Sequence, residues 1–159
     1  MIKHSILDDD FGQLNTQVVA IHTDSEDFRL CYAINRVLQL NLSRTENDLC
    51  FNDSPAAFSW FTWHDEKQFC KWNLVANKFQ LETVIEDKES LFANETPVTQ
   101  LFHLIPEFEK VNYFLTLEDE GAGIDISKLV AQLHDLPQVI TAYLVESKPI
   151  KSKMNLIFC

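Results

Sequence analysis

Apolar and polar positions along this chain alternate in short runs, and twice the pattern lengthens to the three-and-four spacing of a helix face. Val18, Val19 and Ile21 mark a first strand over residues 17–22. Thr23, Asp24, Ser25 and Glu26 then spell a capping box, in which the Thr23 hydroxyl and the Glu26 carboxylate would each satisfy an orphan backbone N–H. Leu30, Cys31, Ile34, Val37 and Leu38 recur as one buried stripe, with Arg29, Asn35, Arg36 and Gln39 on the wetter side, so a helix is predicted over 25–39. Phe58, Trp60 and Thr62 share one strand face and Phe61 and Trp63 the other. A turn at 64–67 leads to Phe69, Cys70, Trp72, Leu74 and Val75, which predicts a long hairpin.

Beyond Phe79 the alternation loosens, and charged positions over 82–94 predict an exposed loop or a short frayed helix. Residues 98–105 and 111–118 read as a second pair of strands. Gly121 and Gly123 free the backbone to turn, and Asp125 is placed to cap a helix with a stripe of Ile126, Leu129, Val130 and Leu133. Pro137 stops that helix, residues 139–146 return as a strand, and 155–158 add an edge strand. The strand, helix and strand at the C-terminal end make a βαβ unit, whose strands are parallel or separated by another strand. With no repeat, linker or low-complexity tract, the reading is a single domain over 1–159. Its class is α+β: a mostly antiparallel twisted sheet of six to eight strands with two helices, its C-terminal part a ferredoxin-like half.

Composition narrows the function classes. At 159 residues the chain can bury roughly 70% of the surface its unfolded form exposes, enough to fold without a metal or disulfide staple. A net charge of -11 repels a phosphate backbone, so nucleic acid is not an expected partner. No apolar run approaches the length of a membrane span, and the first residues lack the apolar core of a signal peptide, so a cytoplasmic protein is expected. Cys31, Cys50, Cys70 and Cys159 are far apart and read as free thiols.

Candidate chemistry is sparse. His4, His22, His64, His103 and His134 lack ligand spacing, and Glu107, Glu109, Glu118, Asp119 and Glu120 beside His103 are better explained as solvated acids. Three glycines cannot build a phosphate-cradling loop or a dinucleotide fingerprint. No catalytic residue, metal ligand or cofactor is therefore assigned.

One stretch is distinctive. Ile105, Pro106 and Glu107, followed by Val111, Asn112 and Tyr113, resemble the signature IPExxxVDY that defines a family of small bacterial proteins without an assigned activity. The resemblance implies membership and a similar order of elements. Where the family has Asp this chain has Asn112, which cannot change protonation but keeps the oxygen that a backbone clamp or Asx-turn needs. Pro106 ends a strand because it has no N–H for a ladder, Glu107 has a backbone N–H within reach at the corner, and the signature is expected to be architectural.

Trp60, Trp63, Phe69 and Trp72 lie on both faces of the predicted hairpin. Helices and neighbouring strands would bury them, and any that stay exposed form a contact surface for protein. The functional expectation is a non-enzymatic module that binds a protein partner or itself as a homodimer, through a sheet edge or these aromatics. The alternative is a small-ligand-binding protein or hydrolytic enzyme with a carboxylate pocket near Glu107 and Glu118.

Overall fold

The computed structural model describes residues 16–86, 95–146 and 152–156. Its centre is a six-stranded, entirely antiparallel sheet. In chain order its strands are β1 (Thr16–His22), β2 (Ser43–Arg44), β5 (Trp60–Asp65), β6 (Cys70–Ala76), β9 (Tyr113–Asp119) and β10 (Thr141–Val145), set side by side as β10-β1-β9-β6-β5-β2. Two helices, α1 (Asp27–Leu38) and α2 (Ile126–His134), cover one face. Two-stranded ribbons are formed by β3 (Leu49–Cys50) with β4 (Ala57–Phe58), and by β7 (Lys78–Glu86) with β8 (Glu95–His103). The α+β class with a mostly antiparallel sheet is thus what the alternating pattern predicts.

Alternation in β1 and β9 sends side chains to two separate cores. Val19, Ile21, Leu115 and Leu117 meet Leu30, Ile34, Leu129 and Leu133 of the helices. Val18, Ala20, Val75 and Phe114 point the other way, onto Phe58, Leu104, Ile105 and Val111. Because β1 lies between β9 and β10 and runs antiparallel to both, the C-terminal βαβ unit is split, its two strands parallel but not adjacent. Asp125 caps α2 by accepting the Lys128 N–H, as its position before the apolar stripe predicts.

Four local expectations change. The Thr23–Glu26 capping box does not form: Glu26 occupies the cap without a side-chain bond, while the buried Thr23 hydroxyl donates to the Gln138 carbonyl and accepts from Ser25 N–H. A tertiary partner has outcompeted the local one. Residues 98–105 do not pair with 111–118; β8 pairs with β7, and β9 inserts between β1 and β6. Residues 82–86, expected as an exposed loop or a short frayed helix, belong to the outer half of β7, where solvent on both faces of 82–85 removes the apolar alternation that betrays a strand; residues 87–94 lie outside the described set. The expected edge strand at 155–158 is instead a 3-10 turn over Lys153–Leu156, because Leu156 buries against the second core and Asn155 Nδ2 donates to the Leu104 carbonyl; residues 157–159 are not described.

Candidate functional site

The signature forms the corner between β8 and β9. Pro106 opens a single 3-10 turn, Pro106–Phe108, where its missing N–H costs nothing. Ile105 and Val111 on either side are buried in the second core, and Phe108 lies edge-on to Phe114 with ring centroids 6.2 Å apart. Tyr113 joins the helix-side core instead. Burial, with Asp27 and then Glu26 nearby, raises its phenol to about 12, so it stays protonated at any ordinary pH.

A fully buried side chain outside the signature holds this corner together. Asn77 Oδ1 accepts the Ile105 N–H at 2.7 Å, and Nδ2 donates to the carbonyls of Phe108 at 2.8 Å and Val111 at 2.9 Å. Its own backbone accepts from Leu104 N–H and donates to the Asn112 carbonyl. Five backbone groups of the corner are thereby satisfied without water, three by the side chain and two by the backbone of Asn77. Sequence reasoning missed Asn77. The available signal was a polar residue breaking the apolar run that ends at Ala76.

Asn112 and Glu107 reach away from each other. Asn112 Oδ1 accepts the Thr23 N–H at 3.0 Å, and its backbone N–H donates to the Ile21 carbonyl, so it clamps the end of β1 to the start of β9. Glu107 Oε1 accepts both the backbone N–H and the hydroxyl of Ser152, at 3.0 and 3.1 Å, tying the corner to the C-terminal segment. Glu118 lies near the far end of β9, opposite Thr16 and Lys71. Four strand steps, about 13 Å, separate Glu118 from Phe114, the residue beneath Phe108. Glu107 and Glu118 thus lie on different elements and are not gathered.

The remaining acids and histidines are likewise dispersed. Asp119 folds back on the turn that follows it: Oδ1 accepts from Gly121 and Ala122 N–H and Oδ2 from Ile124 N–H, and these bonds, that to Gly121 foremost, hold its carboxyl below the ordinary value. His22 bonds Tyr143 Oη through Nε2 at 3.0 Å, with its pKa lowered by burial and then by Lys78. His103 faces Lys78 across the ribbon, and His64 and His134 are exposed. Among the described residues no group of three or more His, Cys, Asp or Glu is arranged to hold a metal ion.

The aromatic surface is mostly used internally. Trp72 is buried beneath the helices, Trp63 packs on the same core, and Trp60 donates its indole N–H to Asn73 Oδ1 on the opposite face. Only Phe69 of the four stands free, 62% exposed at the hairpin tip. Two layers of cover, helices on one side and the β3–β4 ribbon with the signature corner on the other, account for the difference. A groove of about 340 Å³ runs between α1, α2 and the β5–β6 hairpin, floored by Trp63, Trp72 and Leu129, and touches no signature residue.

Exposed apolar area lies elsewhere. The β7–β8 ribbon packs at its root, where Phe79 and Phe102 extend the second core toward Phe58. Beyond that root Val84, Ile85, Val98 and Leu101 are all exposed. A second exposed group, Ile140, Tyr143 and Leu144, lies at β10. No family model, curated protein or solved structure matches this chain.

Proposed function

We propose that this chain is a cytoplasmic, non-enzymatic contact domain of the IPExxxVDY type, whose signature braces the scaffold and whose β7–β8 arm meets a protein partner. The observation that carries the reading is the arm. A nine-residue ribbon that exposes Val84, Ile85, Val98 and Leu101 is marginal in water by itself, and a partner covering it supplies the missing burial. The chemistry-bearing side chains support the same view, because Glu107 and Asn112 are engaged by different elements and Glu118 lies at the far end of β9.

Site-specific photo-crosslinking in the source cells tests it. A photoreactive residue at Val84 or Leu101 is expected to give one discrete protein adduct, absent when the residue is at exposed Arg29 and lost when Ile85→Glu and Val98→Glu are added. The adduct protein, purified, is then expected to bind the wild-type chain and not the arm variant. Equal labelling from all three positions, or none from the arm, contradicts the proposal.

A further inference from the structure

The two edges of the central sheet are built differently. At one edge β2 is two residues long, and its Arg44 is ion-paired with Asp27 and Asp48, the kind of short, charged edge that refuses further pairing. At the other, β10 keeps an unbroken five-residue register with β1, and no described strand pairs with its outer side. Residues 136–145 contain neither a charge nor a bulge, and proline occurs only at Pro137, before the strand begins. Ile140, Tyr143 and Leu144 remain exposed there, at 60%, 38% and 46%. Tyr143 is also held in place, its hydroxyl bonded to His22.

We propose that β10 is the edge through which a second copy of this chain pairs, antiparallel about Tyr143, so that the sheet continues across both molecules. This inference rests on the contact-domain reading and adds to the arm a second surface with a second copy as its partner.

The strand's own composition selects a second copy. About a two-fold axis at Tyr143, Thr141 faces Val145 of the other copy, Ala142 faces Leu144, and Tyr143 faces itself: a β-branched pair and a small residue against a large one flank the aromatic pair at the centre. The flanking Glu146 falls opposite exposed Ile140 rather than another acid. In a chain of net charge -11, an uncharged strand is where two copies can approach without opposing carboxylates. Five strand pairs bury less than the roughly 1,200 Å² of a tight complex, so the dimer is reversible and concentration-dependent.

Light scattering across micromolar to millimolar concentrations reads the association, and a cysteine crosslink reads the edge. In a Cys50→Ser, Cys159→Ser background, Tyr143→Cys is expected to give a covalent dimer and Ser43→Cys on β2 to give none. Leu144→Lys and Tyr143→Lys, both at exposed positions and checked for native circular dichroism, are each expected to weaken association roughly tenfold or more. A chain that stays monomeric at every concentration overturns the proposal. So does a dimer that survives both lysine variants, or crosslinks from Ser43→Cys and not Tyr143→Cys; an extended peptide from another protein would then be the occupant of β10. These outcomes leave the arm crosslinks as the separate test of the contact-domain reading.

Discussion

Asn77 and Ile105 are 28 positions apart in the chain, yet the side-chain oxygen of the first accepts the backbone N–H of the second at 2.7 Å in a wholly buried setting. This one bond, with the two that Asn77 Nδ2 makes to Phe108 and Val111, fixes how the chain leaves the arm and re-enters the sheet. Asn77→Ala leaves the Ile105 N–H and the Val111 carbonyl without their partner in the core, takes one of two donors from the Phe108 carbonyl, and is expected to cost about 3 kcal/mol. For a chain of this size that corresponds to a fall of roughly 6–12 °C in the thermal midpoint, measurable by calorimetry. An unchanged midpoint would remove Asn77 from the account.

The turn after β9 should confer a defined acid sensitivity. The folded pKa of Asp119 lies below its ordinary value of 3.8, so its contribution to stability is fully present above that value and is lost as pH falls through the lower folded one. Asp119→Asn keeps an acceptor for the Gly121 and Ala122 amides but cannot ionise. Urea unfolding is expected to show the wild type more stable near neutrality, with the gap closing below about pH 4. A gap that stays constant down to pH 2 would show that the carboxylate charge is not what the turn uses.

Cysteine reactivity should follow burial. Desolvation, with Asp27 beside Cys31 and Asp119 beside Cys70, raises both thiols to about 11, whereas Cys50 is exposed. Alkylation by iodoacetamide at pH 8, read by mass spectrometry, is expected to label Cys50 quickly and Cys31 and Cys70 only after unfolding. Rapid labelling of Cys70 in the folded protein would mean that the β6–β9 pairing opens far more readily than this packing allows.

Elements that their own period and turn chemistry specify were legible in the chain: β1, both helices, the Asp125 cap and the β5–β6 hairpin. Bonds and strand pairings to distant partners were not. Thr23 reads as a helix cap until the Gln138 carbonyl, 115 positions away, claims its hydroxyl. The outer half of β7 hides because Glu82, Thr83, Val84 and Ile85 are wet on both faces and carry no alternation. In the signature, the backbone roles of Ile105 and Pro106 could be read from residue type. The bracing by Asn77, Thr23 and Ser152 could not, since nothing local to those residues points toward the corner.

The most direct test concerns Asn112, the position where this chain has Asn against the Asp of the IPExxxVDY pattern it resembles. Its side-chain oxygen holds the Thr23 amide, a task that Asp performs as well and Ala not at all. Urea unfolding of Asn112→Asp and Asn112→Ala is expected to leave the Asp variant within about 1 kcal/mol of the wild type at pH 7 and to destabilise the Ala variant by about 1–2 kcal/mol. An Ala variant as stable as the wild type, or an Asp variant that loses as much as Ala, would show that the signature does not serve to brace the chain.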